Sequence, residues 1–191
     1  SGSTVEFFVK KDWAVSQVTS SREVIFDVWN GNLSSSHDYG RFTLALSSEE
    51  QDRFFLTVQS GSTGFYEIPV PTTGGLDLGS SQWNQFSLSV DTNGTTTKID
   101  LYQSGTCVGP QITQNSDINI VEGSLTSNIG ALRTATSGTA DSSDASMLGW
   151  GKLSGSIDEF RYWKTARSAK EIGLNWNTHV DGGSNLVGTS D

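Results

Sequence analysis

The residues best equipped to hold a sugar fall in one short stretch. Trp29, Asn30, Asn32, Asp38 and Tyr39 bring two aromatic rings, two amides and a carboxylate together. Sugar rings stack on aromatic faces, while amides and carboxylates take the hydroxyl groups. This run is therefore a candidate glycan-binding segment. Trp13, Phe65, Tyr66 and Trp150 lie in or beside expected loops and are further candidate platforms. For each aromatic the competing role is packing in the core or at its rim, and that is the commoner one.

Bond-breaking chemistry finds no comparable set. Serine-based hydrolysis needs a positioned histidine, but His37 and His179 both stand in polar, turn-like segments without a nucleophile-elbow sequence. No glycine-rich phosphate loop precedes a helix. The single cysteine, Cys107, excludes an intrachain disulfide and any multi-thiolate metal site. It sits between two glycine-containing turns and reads as a bystander. Asp141 and Asp144 lie in an acidic loop that could take Ca²⁺ at the rim, although a solvated loop is the reading favoured by its composition.

These residues need a scaffold, and the sequence describes one. The chain has 191 residues, enough for one domain with a real core. Its 34% hydrophobic and 17% charged content suits many short strands joined by polar turns. The net charge of −9 repels phosphate backbones and anionic lipid, so neither nucleic acid nor a membrane surface is expected as a partner. The apolar runs are too short to span a bilayer, so no membrane insertion is expected.

Alternation of period two recurs along the chain, placing apolar residues on one strand face and polar ones toward water. Val5, Phe7 and Val9 form one such set, and Val24, Phe26 and Val28 another. Phe42, Leu44 and Leu46 follow, then Phe54, Leu56 and Val58, then Phe86, Leu88 and Val90, with Ile99 and Leu101 beyond a turn. Six or more strands of this kind indicate a sandwich or barrel. The clearest hairpin runs from Phe86 to Val90, turns through Asp91 to Gly94 and returns from Lys98 to Tyr102, because Asn93-Gly94 tolerates a tight turn. One helix is expected near the end. Ser168 and Glu171 have capping-box spacing, and Ala169, Ile172 and Trp176 fall on one helical face. Residues 134–146 show no periodicity and read as a long surface loop.

Three segments together resemble laminin-G-like domains of the concanavalin-A-like lectin and glucanase superfamily. They are Trp83 to Val90 with Ile99 to Tyr102, Asn128-Ile129-Gly130, and Gly155 to Trp163 followed by Ala166 to Ile172. The resemblance spans roughly residues 4–177 and implies an all-β fold: a jelly-roll sandwich of two antiparallel sheets with one short C-terminal helix. Such domains usually carry a strand before the one expected at Thr4 to Lys10. The chain therefore reads as a piece of a longer polypeptide with neighbouring domains. Ile157 and Phe160, three apart, reach the same core only through a β-bulge near Asp158-Glu159.

The resemblance also bears on chemistry. Retaining glucanases of the superfamily place carboxylates at alternate positions on one strand. Neither Glu49-Glu50-Gln51-Asp52 nor Asp158-Glu159 repeats that pattern, so a glycoside hydrolase is the least favoured reading and no catalytic residue is assigned. In several branches an aspartate on the closing strand helps hold a structural Ca²⁺, which makes Asp158 the candidate metal ligand. The alternative, that Asp158 caps the bulge through backbone N–H groups, stays open with equal weight. Two functions follow. The first is a non-catalytic module that recognises glycans or a protein surface outside a cell. The second is a structural building block of a larger assembly such as a phage virion, with extracellular, cell-surface or virion placement.

Overall fold

The computed structural model describes residues 2–11, 22–32, 36–47, 50–78, 81–116, 118, 121, 123–132 and 151–178. Eleven strands form two antiparallel sheets. They are β1 (Gly2–Lys11), β2 (Arg22–Trp29), β3 (Gly40–Ser47), β4 (Phe54–Ser60), β5 (Thr63–Val70) and β6 (Trp83–Thr92). Then come β7 (Thr97–Gln103), β8 (Thr106–Cys107), β9 (Ile112–Gln114), β10 (Thr126–Ile129) and β11 (Gly155–Trp163), and the helix α1 (Ala169–Asn175). One sheet has the order β11-β1-β6-β7-β8, with β9 also on β7, and the other β10-β2-β3-β4-β5. The expected two-sheet, all-β jelly-roll sandwich with a single short helix is the fold observed among the described residues.

The inward residues of both sheets meet in one core. Phe7, Phe54 and Phe86 come from β1, β4 and β6, with ring centroids 4.9 to 6.0 Å apart. All three are essentially inaccessible to water. Burying a large side chain of this kind contributes about 1.5–3 kcal/mol, so this trio is a main clamp between the sheets. A second tie is ionic. Lys11 at the end of β1 donates to Glu23 on β2 at 2.9 Å and to the Ser154 carbonyl at 2.7 Å. The Ser154 N–H returns to Glu23 at 2.8 Å. Both side chains are buried.

Two sequence expectations are corrected, one of them by a bulge. Strict alternation puts Val24 on the same face as Phe26 and Val28, but the register of β2 against β3 shifts between Val24 and Phe26. Ile25 consequently enters the core beside Phe26, and Val24 turns to the outer face. The expected turn at Asp91 to Gly94 forms two residues later, at Asn93 to Thr96: β6 runs to Thr92, and Asn93 Oδ1 accepts from the N–H groups of Thr95 and Thr96. The bulge expected near Asp158-Glu159 is present. The pairing of β1 with β11 shifts between Glu6 and Phe8, and Glu159 has φ +48°.

The chain after β11 folds back over half of the outer face of the six-stranded sheet. Thr4 Oγ1 donates to the Thr165 carbonyl and accepts from the Arg167 N–H, each at 2.9 Å. Arg167 donates to buried Glu6 at 2.6 Å, and Trp163 Nε1 donates to the other Glu6 oxygen at 3.1 Å. The capping box at Ser168 and Glu171 forms as the spacing predicts, with Ile172 buried beneath. Trp176 packs on Gly105, where φ is +75° and a Cβ would stand 2.4 Å from the indole. Hydrogen bonds from Ser168 hold the Glu171 carboxyl below the usual carboxylate range. A lowered pKa stabilises the fold above the carboxyl's ordinary range, and that contribution disappears as pH falls through the folded value. Ser168→Ala is expected to cost about 0.5–1 kcal/mol near neutral pH and less in acid, measured by urea unfolding at both pH values.

Candidate functional site

The outer face of the five-stranded sheet is lined with polar groups that are buried, contrary to the expectation that alternating polar residues face water. Asp27 on β2 and Arg41 and Thr43 on β3 stand side by side because Asp27 pairs with Thr43 and Trp29 with Arg41. Arg41 grips Asp27 with two bonds of 2.8 and 3.0 Å, and Thr43 donates to Asp27 at 2.6 Å. Burial opposes the Arg41 charge, but the charge and hydrogen bonds of Asp27 outweigh it, and the guanidinium pKa is raised. Burial likewise raises the Tyr39 pKa, against a hydrogen bond from Arg41.

The five residues singled out in the sequence do come together, around the β2–β3 connection beside this pair. Arg41 lies 5.6 Å from the Trp29 ring centroid, and Trp29 Nε1 donates to the Asn32 carbonyl at 2.9 Å. The side-chain amide of Asn30 donates to the Asp38 carbonyl and accepts from the Gly40 N–H at 3.0 Å. Asn32 also donates to the Asp38 carbonyl at 3.2 Å. Trp29 and Tyr39 are only 3% and 4% exposed. Their faces pack against the protein, and the two amides close the turn. The Asp38 carboxylate is exposed and 3.1 Å from His37. Of the other aromatics, Phe65 is buried and Tyr66 is 50% exposed. Trp13, Trp150, His179, Glu49, Asp141 and Asp144 lie outside the described residues.

Beyond the Asp27–Arg41 pair, toward the opposite end of these strands and on the same sheet face, lies a small hollow. Val24, Ala45 and Phe55 give it an apolar floor, with Thr43 and Thr57 supplying hydroxyls. Arg22 lies over Phe55, 3.8 Å from the ring centroid, and pairs with Glu67 at 3.0 Å. Glu67 sits in a bulge of β5 opposite Thr57, with φ +46°. Its N–H donates to Thr57 Oγ1 at 3.0 Å, which leaves the Thr57 hydroxyl proton for a ligand. Exposed Tyr66 precedes Glu67 in the same bulge. At the far side Asn128 on β10 pairs with Asp27, and its Nδ2 is buried without a hydrogen-bond partner. The arrangement presents a flat cation, a carboxylate, hydroxyls and an apolar floor, which suits a polyhydroxylated ligand with an acidic or hydroxyl edge.

Sequence reasoning missed Arg22, Thr43, Thr57 and Glu67. Their one legible signal was position on the outward face of adjacent strands, and outward polar residues usually meet only water. Asp158 is exposed on β11, and its Oδ1 accepts from the Glu159 N–H at 2.8 Å, as a bulge cap does. Among the described residues no group of three or more metal-capable side chains stands together, and no helix is long and apolar enough to cross a membrane.

No family model and no curated protein matches the sequence. Solved structures do match. The carbohydrate-binding module CBM40 of the Ruminococcus gnavus IT-sialidase is 15% identical, with a TM-score of 0.57 over 92% of this chain and 82% of that one. The same module bound to α2,6 sialyllactose gives 15% and 0.54, over 91% and 82%. A leech intramolecular trans-sialidase gives 15% and 0.55, over 96% of this chain but 24% of that much longer one. At this identity the likeness establishes a shared jelly-roll β-sandwich fold.

Proposed function

We propose that this domain is a non-catalytic glycan-binding module, acting outside a cell, that holds an acidic sugar in the depression on the five-stranded sheet. The observation that carries the reading is Arg22, spread on Phe55 and paired with Glu67 at the mouth of an otherwise apolar and hydroxyl-lined hollow. A guanidinium held over an aromatic ring is suited to a sugar carboxylate or vicinal hydroxyls. Glu67 and Thr57 then take neighbouring hydroxyl groups. Sialyllactose, bound by the similar R. gnavus module, belongs to this ligand class and is the first glycan to test.

Calorimetric titration with sialyllactose and with lactose makes the test. Binding of sialyllactose in preference to lactose is expected. Arg22→Ala is expected to weaken it about tenfold or more, since a hydrogen bond to a charged group is worth about 1.5–3 kcal/mol. Equal affinity of the Arg22→Ala and unaltered proteins would overturn the assignment of the site.

A further inference from the structure

We infer that the uncovered half of the outer face of the six-stranded sheet is a second carbohydrate contact, which takes a neutral hexopyranose on Trp83. The strand register assembles it. Phe86, Leu88 and Val90 of β6 point into the core, so Trp83 and Gln85 share the outer face. Trp83 pairs with Lys10 and Gln85 with Phe8 on β1. On the other side of β1, Lys10 pairs with Ser156 and Phe8 with Asp158 on β11. Directly paired residues of an antiparallel ladder project to the same face, so these side chains form one patch across three adjacent strands.

The C-terminal segment covers the other half of this face, over Thr4, Glu6 and Ser89, and leaves this half open. Trp83 is 46% exposed, an unusual state for the largest apolar side chain. Lys10, Ser156 and Asp158 are exposed around it, and Phe8 is half-buried between them. Three strands span about two inter-strand spacings, roughly 10 Å, the width of one sugar ring with its hydroxyls. An indole face supplies the stacking surface. The ammonium of Lys10 donates, the carboxylate of Asp158 accepts, and both match hydroxyls at a ring edge.

Gln85, between this half and the covered one, is buried, and its Nε2 donates to the Phe86 carbonyl at 3.1 Å and to Ser87 Oγ at 2.8 Å. The patch holds a cation and a carboxylate together and is nearly neutral, so it favours an uncharged sugar. It lies on the opposite sheet from the depression around Arg22. A domain with both contacts holds two residues or two chains of a glycan.

The test is an NMR titration of the labelled protein with lactose, cellobiose and maltose in turn, up to tens of millimolar, beyond the range of a weak single contact. At least one sugar is expected to shift the Trp83 indole and Lys10 amide resonances. Arg22→Ala is expected to leave those shifts unchanged, which separates this contact from the depression. Trp83→Ala is expected to weaken the response at Lys10 at least tenfold, and Trp83→Phe to restore part of it while both variants keep the unaltered melting temperature. If none of the three sugars moves these resonances, or if Trp83→Ala leaves the Lys10 response intact, the inference fails.

Discussion

Asp27→Ala is expected to cost about 3–5 kcal/mol of stability, because it strands the Arg41 guanidinium in a place water does not reach. Arg41 is 4% exposed and Asp27 1%, and both bonds of the fork end on the carboxylate that is removed. Thr43 loses its acceptor in the same step. A loss on this scale is a large fraction of the whole stability of a domain. Urea unfolding reads it directly as a lowered midpoint with unchanged slope. The double variant Asp27→Ala with Arg41→Met is expected to recover much of the loss, since an apolar pair leaves no uncompensated charge. Thr43 lines the depression and bonds Asp27, so the single variant is also expected to weaken the proposed binding of sialyllactose in protein that is still folded. A change below about 1 kcal/mol would show that water reaches Arg41 and that the pair is not a buried one.

Lys11→Met is expected to have an effect of similar size for a different reason. Glu23 is held by Lys11 and by the Ser154 N–H, and without the ammonium it becomes a buried carboxylate that has lost its counter-charge. The expected cost is again about 3–5 kcal/mol. This network joins the end of β1 in one sheet to the start of β2 in the other and to residue 154 just before β11. Its loss is therefore expected to loosen the sandwich at that end first. Amide hydrogen exchange supplies the check. Protection is expected to fall at Val24, Ile25 and Ser156 before it falls at Leu88 or Leu101, and uniform loss would argue against a local tie.

The site was less legible than the scaffold. Trp29, Asn30, Asn32, Asp38 and Tyr39 did converge, because a short connection between β2 and β3 leaves them no choice. Their chemistry is largely turned inward: Trp29 and Asn30 bond the turn itself. The residues that face the depression come from β2, β3, β4 and β5, and no spacing along the chain links Arg22 to Thr43, Phe55 and Glu67. The bulge at Glu67 was equally invisible, since it arises from how β5 meets β4 and not from a local motif. Asp158 shows the opposite case. Ile157 and Phe160 could share a core only through a bulge, and the bulge is where that argument put it.

Local covalent pattern determined a good deal by itself. Period-two alternation settled most of the longer strands and, apart from Val24, their inward residues, because successive side chains on a strand must point to opposite sides. The Ser168 to Glu171 spacing settled the helix start, because capping depends only on neighbours within one turn. The tertiary structure decided which outward faces stay wet. Thr4, Glu6, Asp27, Arg41 and Ser87 carry the polar pattern of a solvated face, yet all are buried. Whether another part of the chain covers such a face depends on contacts between residues more than a hundred positions apart, such as Glu6 with Arg167. Those contacts also leave Trp83 uncovered, and packing at that distance has no signature in the spacing of residues along the chain.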